Sequence, residues 1–503
     1  MRSYKGIPGL KEARGYGRVI RLLVSFACLA VVWPTIAQSV PPQPDSLAQA
    51  ATLCPNQLAG AIDPILNRPI FARARWGVLV QTLRGRQTLY RREAERYFLP
   101  ASNTKLLTSA AALVHLGPQF RIRTSIYQVQ SPSGGVVLQV VGRGDPTLTV
   151  TQLQALAAQL ARRGIRRIDR LIADDRAFRG SPYPPTWEWE DMQVADGAPV
   201  TSLILNQNTI DLQLIPQVIG KPLKVEWKDP KEGAGLRIQN ETVTVASDAT
   251  EVLAVEWDRN RSTLVVQGQL RVGAAPETLG IAAPNPIPRF LNQFRQVLTA
   301  QGISVVQVGG MPGEGTLTEV AAIESPPLSE LVQEINQWSN NLYTEVVLRV
   351  LGSTQPSSRS NWEGGLMVLR KTLTELGVNP TSYQLADGSG LSRQNLVSPE
   401  AIVQTLQAMA QRPEAAVYRA SLPLAGKTGT LQSRFQNTPA MGQIRAKTGT
   451  LTGVSALSGY LENPQYQPLV FSILVNQSDR PTREIRQAID EIGVVLTRLR
   501  SCN

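Results

Sequence analysis

The sequence predicts an α+β protein in which an antiparallel sheet flanked by helices is interrupted by a large strand-rich insertion that forms two smaller domains. Two strands and a helix lie near the start, helices dominate the region 327–411, and a three-stranded meander with a helix ends the chain. Between the first two of these parts, residues 119–315 contain short strands separated by Gly, Pro and Asn turns. The first part has too few strands for a complete sheet, so we expect both ends of the chain to close into one domain around the insertion.

Hydrophobic periodicity and turn residues predict the elements in order. Before the insertion they are a helix over 57–66, strands 76–83 and 88–92, and a helix that begins near Pro100. In the insertion they are strands 121–129, 135–141, 167–174, 203–215, 223–227, 236–245, 253–259, 262–270 and 303–308, with helices 151–162 and 288–301. After it they are helical stretches 327–352, 361–377 and 399–411, strands 444–451, 454–462 and 468–475, and a helix over 482–500.

These elements predict a division into domains. Segments 54–118 and 316–503 form the first domain, segments 119–202 and 272–315 the second, and residues 203–271 an all-β third domain. The aromatic, acidic loop 184–192 is either a wall of a substrate site or a loop pinned by its tryptophans.

Composition excludes several classes of protein. The 503 residues are 42% hydrophobic and 18% charged, which excludes a disordered chain and allows two to four domains. The net charge is +12, but the first 37 residues hold six basic residues and one acid, so about +7 remains on the rest. No basic run is interleaved with aromatic residues, so nucleic acid is not an expected partner. Attraction to an anionic polymer or surface of the cell envelope is expected instead.

The N-terminus has the layout of a secretory signal peptide over residues 1–37. Arg14, Arg18 and Arg21 precede an apolar run over 22–33, and small residues lead to a cleavage site after Ala37. The run is short for a membrane span, although an uncleaved anchor is the alternative. We therefore expect export to the periplasm or cell envelope.

Two of the three cysteines remain after cleavage, because Cys28 leaves with the signal peptide. Cys54 and Cys502 then lie at opposite ends of the mature chain, in a compartment where disulfides persist. They either form a bridge that joins the two ends or stay as two unpaired surface thiols.

Ser102 and Lys105 form the first candidate site. A proline and then helix-forming residues place Ser102 in the first turn of a mostly buried helix. Residues three apart on a helix are neighbours, so the Lys105 amine can reach the Ser102 hydroxyl beside free backbone N–H groups. This supplies a nucleophile, a base and part of an oxyanion hole, although Ser-x-x-Lys should occur by chance about once in a chain of this length.

The chain has one histidine, His115, near the end of the same helix. A Ser-His-Asp triad needs a histidine that approaches from another direction, so His115 is a helix-end residue. A metal site of imidazoles is excluded, no cysteine cluster replaces it, and no Gly-rich phosphate loop is present. We therefore expect no cofactor, and a serine hydrolase here must use a lysine base.

Two further motifs complete the candidate site. Ser339 and Asn341 can point into a cleft from a helix start or from a loop between helices, unless they simply cap the helix. Lys-Thr-Gly occurs at 427–429 and at 447–449. The second copy lies on a predicted strand, where Gly449 allows close approach of a substrate backbone and Lys447 offers a cation for a carboxylate, so we choose Lys447 over Lys427.

Ser102-x-x-Lys105, Ser339-x-Asn341 and Lys447-Thr-Gly449 stand in the order found in penicillin-binding proteins and serine β-lactamases. Further matching segments are Gly144-Asp145-Pro-Thr-Leu, Leu205-Asn-Gln-Asn208, Asp387-Gly-Ser-Gly-Leu-Ser-Arg393 and the run Arg445 to Tyr460. Together they resemble the low-molecular-mass class C D-alanyl-D-alanine carboxypeptidases and endopeptidases, the penicillin-binding protein 4 type. The resemblance covers essentially the whole mature chain, and its hallmark is the long insertion between the first two motifs.

The resemblance implies a penicillin-binding fold and a role for each motif. Ser102 attacks the D-Ala-D-Ala carbonyl with Lys105 as base, Ser339 relays the proton to the leaving group, and Asn341 holds the substrate amide. Lys447 and Thr448 receive the terminal carboxylate, and the backbone N–H groups of Ser102 and Thr450 form the oxyanion hole. Burial and the nearby Lys447 ammonium are expected to lower the pKa of Lys105.

An aspartate of the insertion borders the pocket in this family and meets an amino group of the peptide stem. Asp174 is the candidate here, and Asp175 is the alternative. The implied substrates are peptidoglycan stem peptides, and β-lactams are the implied covalent inhibitors. The competing hypotheses are a β-lactamase, which would need a deacylating base, and a peptidoglycan-binding scaffold without turnover.

Overall fold

The computed structural model describes residues 52–130, 135–313, 316–355 and 357–502. The predicted signal peptide, residues 1–37, lies outside the described residues. Near the two ends of the described chain, a disulfide joins Cys54 to Cys502, with 5.7 Å between their Cα atoms. The backbone N–H of Leu53 donates to the carbonyl of Arg498 at 2.9 Å, so backbone pairing accompanies the bridge.

The described residues form ten α-helices and eighteen strands, which we number in chain order. The helices are α1 (Leu58–Leu66), α2 (Thr104–Leu116), α3 (Val150–Arg162), α4 (Pro286–Ala300), α5 (Leu328–Gln337), α6 (Asn341–Gly352), α7 (Asn361–Glu375), α8 (Pro399–Met409), α9 (Ala415–Ala420) and α10 (Thr482–Thr497). The strands are β1 (Arg75–Thr82), β2 (Thr88–Arg92), β3 (Arg123–Val129), β4 (Val137–Val141), β5 (Arg167–Asp174), β6 (Thr209–Ile215), β7 (Lys224–Trp227), β8 (Arg237–Val245), β9 (Val252–Trp257), β10 (Thr263–Arg271), β11 (Glu277–Ala282), β12 (Ser304–Val308), β13 (Leu317–Glu324), β14 (Tyr383–Gln384), β15 (Leu396–Val397), β16 (Ile444–Leu451), β17 (Val454–Leu461) and β18 (Leu469–Asn476). No helix among the described residues is both long and apolar enough to span a bilayer.

The central sheet joins the two ends of the chain. Its antiparallel order is β16-β17-β18-β1-β2, and the β1–β18 pairing sets Arg75 opposite Asn476. Successive side chains of a strand point to opposite faces. Val78 therefore packs into the core with α1 and α10, whereas Leu79 packs with α2 and α5 to α8. The predicted α+β fold, an antiparallel sheet flanked by helices, is confirmed.

Three further sheets are formed by the insertion together with β13, which follows it. A mixed five-stranded sheet has the order β12-β5-β4-β3-β13 and shares a core with α3 and α4, while two three-stranded sheets have the orders β11-β6-β7 and β8-β10-β9. The pairing of β11 with β6 and of β13 with β3 joins segments across the predicted boundaries at 271/272 and 315/316. The division into three domains stays a prediction.

Several elements differ from the sequence prediction. Strands β11, β13, β14 and β15 and helix α9 were not predicted, and the predicted strand 203–215 begins only at Thr209. The helical stretch 327–352 is two helices, α5 and α6. The break falls at Ser339, whose φ of +65° lies in the left-handed region, where a right-handed helix cannot continue. Ser339 therefore lies in the loop between two helices, which is one of the two positions that the sequence predicts for it.

Candidate active site

Ser102 lies in the tight turn that leads into α2. Ala101–Asn103 form a single 3-10 turn, and the α-helix begins at Thr104. Ala101 has a φ of +47°, which residues other than glycine rarely adopt. Lys105 is buried one turn further on, and its Nζ lies 3.0 Å from the Oγ of Ser102. The structure therefore brings these two side chains together as their spacing predicts.

Lys105 is held by two more contacts. Its Nζ donates to Oδ1 of Asn341 at 2.6 Å and to the carbonyl oxygen of Ser389 at 2.7 Å. Burial lowers the pKa of Lys105 to about 8, and nearby carboxylates, that of Asp387 foremost, offset part of this effect. An amine with this pKa has a neutral fraction near pH 7 that can accept a proton from a hydroxyl.

Lys447 lies on β16 with its side chain buried. Its Nζ donates to the Oγ of Ser339 at 2.9 Å and to the carbonyl oxygen of Thr448 at 2.9 Å. Burial lowers the pKa of Lys447 well below its usual value, and the charge of Lys105 lowers it further. Burial is therefore the main cause of the lowered pKa of both lysines, as expected for Lys105, but the charges that act on Lys105 are carboxylates and not the expected Lys447 ammonium.

The two Lys-Thr-Gly copies have different surroundings. Lys427 precedes the 3-10 turn Gly429–Leu431 and is not among the residues that line the cleft described below. Thr430, which follows that first copy, accepts a hydrogen bond from the Thr448 hydroxyl at 2.8 Å. The segment that follows the first copy thus contacts the second copy through this hydrogen bond.

Asn341 occupies the first turn of α6 and faces Lys105. Its Nδ2 donates to the carbonyl oxygen of Asp196 at 3.0 Å while its Oδ1 accepts from Lys105. The helix cap is the neighbouring Asn340, whose side chain accepts from the N–H of Tyr343 at 3.1 Å. Capping therefore occupies Asn340 and leaves Asn341 available to the cleft.

The loop that carries Ser389 is organised by two buried carboxylates. Glu345 of α6 accepts hydrogen bonds from the backbone N–H groups of Gly388 at 2.9 Å and of Ser389 at 2.7 Å. Burial and the charge of Asp387 raise the pKa of Glu345 to about 7. Asp387 itself accepts the indole N–H of Trp187 at 3.0 Å, so the loop 184–192 is pinned by a tryptophan.

Sequence reasoning did not single out Glu345. The available signal was an acidic residue in the long buried run of α6, four residues after Asn341 and therefore on the same helix face. An acidic residue is almost never fully buried without a partner, so its position could have been questioned.

The structure does not bring Asp174 to the cleft. Its carboxylate binds Arg176, with Nε–Oδ1 and Nη2–Oδ2 distances of 2.9 Å, and accepts from Gln139 at 2.8 Å. The alternative, Asp175, accepts the backbone N–H of Leu203 at 2.9 Å. The acidic residue of the insertion that does line the cleft is Asp196.

A cleft of about 1250 Å³ opens over these groups. The predicted residues that line it are Ser102, Ser339, Asn341, Thr448, Gly449 and Thr450. A Cβ on Gly449 would lie 2.9 Å from the Pro100 carbonyl oxygen, so the absence of a side chain lets β16 pack against the turn before Ser102. Two serine hydroxyls and an amide thus line the cleft, and the two buried lysines contact them from behind. These are the groups that a serine hydrolase with a lysine base needs.

This fold and cleft define a serine-type peptidase of the penicillin-binding kind. The model of the D-Ala-D-Ala carboxypeptidase 3 (S13) family matches residues 58–495, and the chain belongs to that family. It is accordingly a serine-type D-Ala-D-Ala peptidase, which confirms the class that the motifs predict.

Several characterised proteins are similar over most of their length. The D-alanyl-D-alanine carboxypeptidase of Actinomadura sp. (strain R39) is 34% identical over 474 residues, which cover 90% of this chain and 87% of that protein. Penicillin-sensitive carboxypeptidase A of Dictyostelium discoideum is 30% identical and covers 80% of this chain and 82% of its own.

Solved structures support the fold. The crystal structure of penicillin binding protein 4 from Haemophilus influenzae has a TM-score of 0.76 at 24% identity and covers 86% of this chain and 98% of its own. A second structure of that protein, complexed with a novel β-lactam, has a TM-score of 0.71 with the same coverage at 23% identity. The predicted penicillin-binding fold is confirmed by this likeness.

Proposed function

We propose that Ser102 is the nucleophile that attacks the D-Ala-D-Ala bond of peptidoglycan stem peptides, with Lys105 as its base. The observation that carries this proposal is the 3.0 Å distance between Lys105 Nζ and Ser102 Oγ in a buried setting. Burial lowers the pKa of Lys105 to about 8, and a neutral lysine accepts the hydroxyl proton as the ester bond to the substrate carbonyl forms.

Ser339 and Lys447 serve the leaving group. When the C–N bond breaks, the departing amine needs a proton, and the Ser339 hydroxyl supplies it. The proton that Lys105 took from Ser102 passes on to Ser339 and replaces it, while the Lys447 Nζ, 2.9 Å from Ser339 Oγ, orients this hydroxyl. Water then attacks the ester on Ser102 and releases the shortened peptide, which restores the enzyme.

The remaining groups hold the substrate. Asn341 binds an amide of the stem, and Lys447 with Thr448 binds the terminal carboxylate, since charge-assisted hydrogen bonds to carboxylates are strong. The backbone N–H groups of Ser102 and Thr450 stabilise the oxyanion. We assign the acidic residue that meets an amino group of the stem to Asp196, because it lines the cleft.

Covalent inhibition by β-lactams belongs to the same proposal. A β-lactam acylates the serine and leaves an ester that is slow to hydrolyse. The name of the Dictyostelium relative, penicillin-sensitive carboxypeptidase A, and the β-lactam complex of the Haemophilus protein support this. Export to the periplasm after removal of residues 1–37 and the predicted three-domain division are parts of the proposal as well.

One experiment distinguishes the competing hypotheses. The mature protein and its Ser102→Ala variant are incubated with fluorescent penicillin, an acyl-D-Ala-D-Ala peptide and a cross-linked muropeptide dimer. Stable labelling with D-Ala release, both absent in the variant, is the expected result. Rapid loss of label with β-lactam hydrolysis would indicate a β-lactamase, and a protein without label or turnover would indicate a binding scaffold.

A further inference from the structure

The cleft extends well past the residues of the three motifs. Beyond Thr450 it is lined by a charged group from α10, from the residue that follows α10 and from the loop before β16. We call this group the arginine end of the cleft, and its members are Arg434, Arg483, Arg486, Asp490, Glu491 and Arg498. Arg483 and Arg486 are three residues apart on α10 and therefore share one helix face.

The carboxylates at the arginine end are already paired. Asp490 binds Arg434, with Nε–Oδ1 at 3.1 Å, and Glu491 binds Arg68, with Nη1–Oε1 at 3.1 Å. Within the described parts of the chain, Arg483 forms no ion pair or hydrogen bond, and no carboxylate lies within ion-pair distance of Arg486. Arg483 and Arg486 therefore present positive charge that no carboxylate of the described residues pairs.

This charge lies on the leaving-group side of the proposed reaction. Side chains two residues apart on a strand share a face, so the Thr450 hydroxyl lies on the face of β16 that carries the Thr448 hydroxyl. Arg486 Nη2 donates to Thr450 Oγ1 at 2.9 Å. The arginine end thus adjoins the place where the carboxylate of the departing residue is proposed to bind.

When D-alanine is the leaving group, it has one carboxylate, and Lys447 and Thr448 bind it in the proposed function. A cross-linked substrate has a larger leaving group, namely a diamino acid that carries a second peptide stem with further free carboxylates. We infer that the arginine end binds this anionic second stem and so adapts the cleft to cross-linked peptidoglycan. The inference rests on the proposed function and adds to it a substrate subsite.

The chemistry of the step is unchanged. The amide between the D-alanyl carbonyl and the diamino acid amine breaks, the acyl group passes to Ser102, and the amine leaves with the proton from Ser339. Water later cleaves the ester. Arg483 takes no part in making or breaking these covalent bonds. It is therefore a specificity residue, and its effect depends on the leaving group.

The test compares Arg483→Glu with a matched charge reversal, Arg480→Glu, near the start of α10. Arg480 pairs with Glu484 and does not line the cleft. For each protein, kcat/KM is measured on an acyl-D-Ala-D-Ala peptide, on a muropeptide dimer, and on the same dimer with the carboxylates of its second stem amidated. Fluorescent penicillin labelling measures acylation separately.

We expect Arg483→Glu to lower kcat/KM for the charged dimer about five- to tenfold relative to the monomeric peptide, mainly through KM. The variant loses the partly exposed charge pair between Arg483 and a carboxylate of the second stem. It also places a glutamate that repels this carboxylate. Amidation of the dimer should remove this difference, and Arg480→Glu should leave the ratio unchanged. An unchanged ratio in Arg483→Glu, an equal fall on both substrates, or an equal effect of Arg480→Glu would overturn the inference. A wild-type protein that penicillin does not label would instead refute the proposed function.

Discussion

Acylation of Ser102 should accelerate with pH in a range that the Lys105 environment sets. With a pKa of about 8, about 3% of Lys105 is neutral at pH 6.5 and about 75% at pH 8.5, so a general-base step should speed up about 25-fold. The direction follows from burial, which disfavours the charged amine. The second-order rate constant of labelling by fluorescent penicillin, measured by stopped flow from pH 6 to 9, reports this step.

The variant Glu345→Gln makes the test specific to Lys105. Its amide oxygen can still accept hydrogen bonds from the N–H groups of Gly388 and Ser389, but one of the three carboxylates that raise the pKa of Lys105, after those of Asp387 and Asp196, is gone. The midpoint of the pH profile should therefore move to lower pH, while Ser102→Ala shows no labelling at any pH. A rate that is flat or falls between pH 6.5 and 8.5 would refute the assignment of Lys105 as base.

Three further outcomes are expected. Lys447→Ala should slow labelling by fluorescent penicillin at least about 100-fold, because the hydroxyl of Ser339 and the carboxylate site both lose their cation. Lys427→Ala should change the labelling rate by no more than about twofold. Equal losses in the two variants would show that the choice of the second Lys-Thr-Gly copy was wrong. Gly459→Ala should lower the free energy of unfolding, measured in urea, by about 1–3 kcal/mol, because the added Cβ would lie 2.1 Å from a backbone oxygen of β16. Gly60→Ala, which has open space around it, should not destabilise the protein. Similar free energies for both variants would contradict the packing around Gly459. Replacing both cysteines of the disulfide by serine should cost about 2–4 kcal/mol, and a non-reducing mass measurement that finds two free thiols in the wild type would remove the basis for that expectation.

The parts of the site that depend on local structure were predictable. Ser102 and Lys105 meet because three residues make nearly one helical turn, and Lys447 was placed by the strand and tight turn around it. The central sheet followed from the same local signals, since the meander and the first hairpin each showed their strands directly.

The parts that depend on distant packing were not predictable. Nothing in the neighbourhood of Asp174 indicates that Arg176 and Gln139 hold it away from the cleft, and nothing near Asp196 indicates that its carbonyl meets Asn341. Strand β13 was missed for the same reason. Its partner β3 lies almost 200 residues earlier in the chain, and pairing over such a distance leaves no pattern in the strand itself.

The contact between Trp187 and Asp387 has a consequence for any attempt to simplify the protein. Excision of residues 119–315 would leave a chain that still carries all three motifs of the candidate active site. It would also remove the indole N–H that binds Asp387 and the Asp196 carbonyl that binds Asn341. Two groups next to Lys105 would then need new partners. The insertion therefore cannot be removed independently of the candidate active site, and a shortened protein must first replace those two contacts.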